Sequence, residues 1–509
     1  MNMLVDVLTR HAKSRPRAVA LTNDQVSICY ADLLTLANHF ADKLRSNNVK
    51  IIGLYMDNGP AWAIIDIAAQ IAGVTLVPLP AFFSDQQLIH AIEDSGIESV
   101  YTDQPDRIVS LPGKQPIWKS DPGLLARTIY YEIHIQHVRR TGKLRDIAKI
   151  TYTSGTTGTP KGVCLSQQTL NKVSVSLCNA IGVNHTDRHL SILPLSTLLE
   201  NVGGIYVPIL AGACSYLPPT SEAGIRGSTS FDAKRMAAVV EEYQATSIIL
   251  TPQLLYALIE SIDNNTDLPD SLRFIAVGGA PVSQALLTRG QQLGLPLYEG
   301  YGLSECGSVV AVNTPNHHRI GSVGKPLSHI ELEFAEDGEI LVRGALFQGY
   351  LNEQDLPSND EFWPTGDLGL LDEAGYLYIT GRKKNLFITS FGRNVAPEWV
   401  ESELVAHPAI MQAVVFGENR PWNTAVIVRG HVNGRTADNM DIDRAISISN
   451  GSLPDYAQIR FWIPADAPFT VSNDQLTGTG RPRRAAIWHH YRTRVDTLYE
   501  QQDRTGILQ

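Results

Sequence analysis

The hydrophobic pattern of the first hundred residues switches repeatedly between two periods. Apolar residues recur at helical spacing from Ala31 to Arg45, a short buried run follows at Ile51 to Tyr55, and helical spacing returns from Trp62 to Ala72. Val74 to Leu79, rich in branched residues, predicts a strand, and Asp85 to Ser95 predicts a helix leading to Val100–Tyr101. Such alternation is the pattern of a parallel sheet covered by helices. It resumes from Met236, with a helix through Glu242, the strand SIIL ending at Leu250, a helix from Pro252 and the strand FIAV ending at Val277. After about residue 319 the texture changes: IELEF, GEILVR and GYLYIT sit between Gly, Asp and Pro clusters, which predicts antiparallel strands and hairpins. The charged run Gly381-Arg382-Lys383-Lys384-Asn385 closes that region. Beyond it the chain reads strand (LFIT), helix (Glu398 to Val405), strands (MQAVVFG, then TAVIV), helix and a basic helical tail.

A chain of 509 residues exceeds what one core usually supports, so these textures predict separate domains. The division is a large α/β domain over 1–381, a hinge at 382–385, and a small α+β domain over 386–509. With 43% hydrophobic and 18% charged residues the chain is too apolar to be disordered. A net charge of −10 argues against a nucleic-acid partner, although it leaves room for a local basic pocket. Five cysteines lie far apart with no CxxC pair, so neither a disulfide framework nor a zinc ribbon is expected, and the compartment reads as reducing. The apolar run before the first charges is too short for a signal peptide. The longest apolar stretch, Trp62 to Phe83, holds Asp66, Gln70, Pro78 and Pro80, which suits a buried helix and strand rather than a membrane span. The expectation is a soluble, cytoplasmic protein with no transmembrane segment.

The most informative stretch is Ile150-Thr151-Tyr152-Thr153-Ser154-Gly155-Thr156-Thr157-Gly158-Thr159-Pro160-Lys161-Gly162. A branched, strand-like entry precedes hydroxyls, glycines and one lysine. Glycines let backbone N–H groups close on an anion, hydroxyls donate further hydrogen bonds, and the lysine supplies a point charge. A plain polar turn is the competing reading. A Walker A loop is not, because Lys161 sits between Pro160 and Gly162 instead of before Ser or Thr.

The run TYTSGTTGTPKG resembles the signature loop of the adenylate-forming enzymes, which include acyl- and aryl-CoA synthetases, luciferases and peptide-synthetase adenylation domains. Further motifs of that family follow in order: Leu193-Pro194-Leu195 leading to Glu200, Tyr301-Gly302-Leu303-Ser304-Glu305, Thr365-Gly366-Asp367, Gly381-Arg382-Lys383-Lys384, and Gly392 to Glu401. The resemblance implies a large N-terminal domain of parallel-rich sheets with a distorted β-barrel, and a small mobile C-terminal domain. It implies ATP, Mg²⁺ and coenzyme A as cofactors. A carboxylic acid, most closely a fatty acid by LPLSTLLE, GRKKNLF and the segment Pro468 to Thr477, is activated to an acyl-adenylate and then transferred to a thiol. The alternatives are transfer to the phosphopantetheine of a carrier protein, or a catalytically silent nucleotide-binding relative.

The same resemblance assigns roles. Thr153, Ser154, Gly155, Thr156, Thr157, Gly158 and Lys161 would hold the triphosphate, and Glu305, with Thr156 assisting, would hold the metal. Gly279, Ala280, Glu299, Gly300, Tyr301, Gly302 and Ser304 would border the nucleotide, with Tyr301 stacking on adenine. Asp367 would take the ribose hydroxyls, Arg382 the ribose or phosphate, Lys384 the pivot of a domain rotation, and Gly392 the edge of the pantetheine tunnel. The acyl chain would lie beside Gly203-Gly204, Gly279 and Ser308-Val309-Val310. Two positions depart from the family pattern. Arg481 stands where a lysine usually touches the substrate carboxylate and α-phosphate, and Thr197 where long-chain enzymes often carry histidine. Either Arg481 substitutes through its planar fork, or adenylation is slow, or Arg483 or Arg484 reaches in.

Overall fold

The computed structural model describes residues 2–112, 116–120, 122–135, 146–153, 160–226, 230–263, 270–353, 361–432, 434–477 and 480–504. The predicted alternation is present almost residue for residue: a helix at Tyr30–Ser46, a strand at Ile51–Tyr55, a helix at Pro60–Ala72, a strand at Thr75–Pro78 and a helix at Asp85–Ser95. The last begins at a capping box, in which Ser84 and Gln87 satisfy each other's backbone N–H groups.

Two large sheets result. In the first, Ile51–Tyr55 pairs in parallel with Thr75–Pro78 and Ser99–Thr102, and Thr75–Pro78 with Ile147–Thr153. The strand Lys161–Ser166 closes one edge antiparallel to Ile147–Thr153. The second runs Leu297–Tyr301, Phe274–Val277, Ser247–Leu250, Arg188–Leu190, Cys214–Tyr216 and Val19–Thr22, all parallel, with antiparallel strands at both edges. Ligands of such sheets gather at the carboxyl ends of the strands. Those ends here are Val277, before Gly278-Gly279, and Tyr301, before Gly302. After residue 319 the expected antiparallel texture appears as a four-stranded sheet, Ile330–Phe334, Glu339–Gly344, Trp363–Leu371 and Leu377–Arg382.

A buried polar knot ties the strand Ile147–Thr153 of the first sheet to the helix Pro60–Ala72 and to the helical segments Leu198–Asn201 and Val202–Tyr206. Lys149 and Asp66, each 1% exposed at the side chain, pair at 2.9 Å. Tyr206 and Asn201 donate to the other Asp66 oxygen at 2.7 and 2.8 Å. Asp66 therefore interrupts the apolar stretch Trp62 to Phe83 because it anchors a lysine, which is why that helix is buried in protein. Among the described residues no helix is long and apolar enough to cross a membrane. All five cysteines are unpaired.

The last part of the chain builds its own cores. Two apolar clusters draw only on residues 387–499. They are organised by Ile410–Phe416, Asn423–Arg429 and Ile459–Pro464, the first pair antiparallel and the second parallel. The helices Pro397–Leu404, Asn439–Ser452 and Arg484–Arg504 accompany them. The strand Ile459–Pro464 was not foreseen in the sequence. LFIT shrinks to Phe387–Ile388, hairpinned with Asn394–Val395.

Candidate active site

The phosphate loop hangs from a hairpin. Thr153 and Lys161 are cross-strand partners at its connected end, so the segment between them starts and finishes at one place. Ser154, Gly155, Thr156, Thr157 and Gly158 lie outside the described residues. The hairpin is braced from the helix Asp85–Ser95: the His90 ring donates through Nε2 to the Pro160 carbonyl at 2.9 Å, and Tyr152 donates to Asp94 at 2.8 Å. Lys161 is half exposed, and its Nζ lies 2.7 Å from Glu353 and 4.8 Å from the centre of the Tyr350 ring.

Glu305 is brought to the same place from the other sheet. It rides on a single 3₁₀ turn, Ser304–Cys306, directly after the strand Leu297–Tyr301 and Gly302. Gly302 is obligatory there, since a Cβ would sit 1.6 Å from the Ser308 carbonyl oxygen. The Tyr350 hydroxyl donates to Glu305 Oε1 at 2.7 Å. Lys161 and Glu305 thus meet on two sides of one tyrosine.

Next to them stands a second group. Tyr301 donates to Asp367 Oδ2 at 2.7 Å, and Arg382 Nε lies 2.9 Å from Oδ1. Asp367 and Arg382 are cross-strand partners, so the sheet itself sets that pair. Burial and the Asp367 charge push the Tyr301 hydroxyl well up, which keeps it a donor. Each Asp367 oxygen keeps a further lone pair, so the held carboxylate can still accept hydrogen bonds. Gly300 approaches closely: a Cβ on Gly278 would meet its carbonyl at 3.2 Å. Gly279 has φ +88° and, with Ala280, is exposed at the strand end. Glu299 pairs with Val277 across the strands, and burial pushes its carboxyl up to about 8.

Arg481 closes the arrangement from the last part of the chain. It donates to the Gly279 carbonyl through Nε at 3.1 Å and Nη2 at 2.7 Å. Arg481 is exposed to solvent on one side, yet the surrounding chain desolvates the guanidinium and, with the like charge of Arg382, lowers its pKa. The other two arginines are engaged elsewhere in this structure: Arg483 pairs with Asp474, and Arg484 with Glu401 and Glu398. Lys384 stands in the turn Lys383–Asn385, its ammonium pulled down by partial desolvation and then by the like charge of Arg382. Gly392, with φ +71°, is the exposed tip of the Phe387–Val395 hairpin. Thr197 turns its hydroxyl onto the Pro194 carbonyl at 2.7 Å. In the expected acyl region Gly204 is tightly packed, because a Cβ would meet Glu200 and Ser191 at 2.6 and 2.7 Å.

Mg²⁺ takes oxygen ligands, keeps waters and needs only one or two carboxylates when phosphates supply the rest. Glu305, held by a neutral donor, fits that demand. Among the described residues no group of three or more His, Cys, Asp or Glu forms a protein-only cage, which Mg²⁺ does not require. Sequence reasoning missed Tyr350, Glu353 and His90, whose contacts depend on strand register and carry no motif signal.

Known proteins resemble the chain in both sequence and fold. The chain is 27% identical over 531 aligned positions to the long-chain-fatty-acid–CoA ligase FadD15 of Mycobacterium bovis, covering 87% of this chain and 86% of the relative. It is 28% identical to the 2-succinylbenzoate–CoA ligase of Bacillus subtilis, covering 82% and 85%. The fold matches the crystal structure of the anthranilate CoA ligase AuaEII in complex with anthranoyl-AMP, with a TM-score of 0.78, 20% identity and 96% of both chains covered. Two family models match, the AMP-binding enzyme over residues 8–351 and the AMP-binding enzyme C-terminal domain over 384–503. The resemblance read from TYTSGTTGTPKG and the later motifs is borne out: the chain belongs to the AMP-binding enzyme family.

Proposed function

We propose that this enzyme activates a carboxylic acid with ATP and passes the acyl group to the thiol of coenzyme A. The observation that carries the reading is Arg481, delivered by the C-terminal part to the Gly279 carbonyl at the carboxyl end of the central sheet. A mobile cation at that point suits a reaction that sets a carboxylate against a polyanion.

In the first half-reaction a carboxylate oxygen attacks the α-phosphorus, the bond to the bridging oxygen breaks, and pyrophosphate leaves. Lys161 and the loop it closes hold the triphosphate, and Asp367 and Arg382 hold the ribose side. Mg²⁺, when bound at Glu305, neutralises charge on the phosphates. Arg481 exchanges its Gly279 acceptor for the substrate carboxylate and α-phosphate. In the second half-reaction the thiolate attacks the acyl carbon and AMP leaves. The C-terminal part, from the hinge 382–385 onward, turns about Lys384 to exchange Arg481 for the Gly392 hairpin.

The acid we propose is a fatty acid, with an aryl acid as the second candidate. Named relatives of both kinds match equally well, at 27% and 28% identity. Hydroxylamine trapping across fatty, aryl and amino acids reports the activated acid whatever the acceptor. The expected result is hydroxamate from a fatty acid; none from any acid would remove the ligase reading and leave a silent nucleotide-binding relative. A thioester assay comparing coenzyme A with carrier proteins then separates the two acceptors.

A further inference from the structure

Lys161 and Glu305 come from different sheets, and the residue that joins them is neither. Tyr350 lies on the segment after Glu339–Gly344, where it bridges to Val163. Backbone bonds from Leu351 to the Gly162 carbonyl and from Phe347 to the Glu305 carbonyl, both 2.7 Å, clamp that segment to both partners. The Phe347 ring packs edge-on against Tyr350 and Trp363, each at 5.0 Å.

We infer that Tyr350 is a positioning residue of the nucleotide–metal site, and that Glu353 is the resting counter-ion of Lys161 that the triphosphate displaces. The hydroxyl and ring of Tyr350 do different things. The hydroxyl fixes Glu305 Oε1 at 2.7 Å, while the ring face supports the Lys161 ammonium at 4.8 Å. Glu353, three residues on and half exposed, holds Lys161 at 2.7 Å. A carboxylate there keeps the lysine extended before ATP arrives, and also competes with the incoming phosphates for it.

The inference rests on the ligase reading for what Lys161 and Glu305 bind, so two readouts are needed. One is acid-dependent exchange of pyrophosphate into ATP; the other is direct binding of ATP with Mg²⁺, followed by thermal shift. In Tyr350→Phe the free Mg²⁺ needed for half-maximal effect rises by about ten-fold, while KM for ATP stays near wild type. In Tyr350→Leu, KM for ATP rises as well. In Glu353→Gln, KM for ATP falls by about two- to five-fold, the scale of one partly exposed ion pair. Phenylalanine and glutamine are conservative, so folding is preserved in those two variants. An unchanged Mg²⁺ requirement in Tyr350→Phe overturns the positioning role, and an unchanged KM in Glu353→Gln overturns the counter-ion role. Wild type that binds ATP but exchanges with no acid would defeat the ligase reading alone, because the same shifts are then read from binding.

Discussion

At the scale of single residues, the swap of lysine for Arg481 is the departure with the most chemistry in it. A guanidinium spans two acceptors in one plane, and here both Nε and Nη2 converge on one carbonyl. Arg481→Ala is expected to slow adenylation by about a hundred-fold or more while leaving thioester formation from supplied acyl-adenylate within a few-fold. Equal slowing of the two steps would contradict its assignment. Glu299 offers a pH test. Its folded pKa, about 8, lies above its ordinary 4.5, so the folded protein holds a proton that the unfolded chain has released. Stability from this group is therefore full below about 4.5 and declines as pH rises through 8. Melting curves of Glu299→Gln between those limits should fall less steeply with pH than wild type. Parallel curves would refute the buried, protonated carboxyl.

Elements show what could be foreseen and what could not. The strands Ile51–Tyr55 and Phe274–Val277 and the helix Asp85–Ser95 were legible because period, length and flanking turns agree there. The Tyr301–Glu305 turn was legible as a motif, and its geometry explains the spacing: Gly302 leaves no room for a side chain against Ser308. Gly302→Ala should abolish ATP binding, measured by titration calorimetry, with little loss of secondary structure by circular dichroism. Binding at wild-type affinity would show the turn to be dispensable. The partners of the chemical groups were not legible, because Lys161 meets Glu353 across almost two hundred residues, and only strand pairing decides such contacts. The Lys149–Asp66 knot is similar: sequence exposes Asp66 as an interruption, and the fold supplies its reason. Lys149→Met leaves a buried carboxylate without its cation and should cost about 3–5 kcal/mol in denaturant unfolding. A cost under about 0.5 kcal/mol would show that Asn201 and Tyr206 suffice.

Across the whole molecule, the decisive feature is that one site is assembled from both ends of the chain. The hairpin with Lys161 and the turn with Glu305 belong to the first part, and Arg481 arrives from beyond Lys384. On the proposed reading the small domain would pivot at Lys384, so Lys384→Pro should arrest that rotation. The expected outcome is retained pyrophosphate exchange with thioester formation reduced by about ten-fold or more. Equal loss of both would place the pivot elsewhere. The claim beneath all of these is that Lys161, Glu305 and Arg481 converge on ATP and an acid. Acid-dependent exchange of labelled pyrophosphate into ATP, compared between wild type and Glu305→Gln, tests it most directly. The account predicts exchange with at least one fatty or aryl acid in wild type and its loss in the variant; full exchange in Glu305→Gln, or none in wild type with any acid, would contradict it.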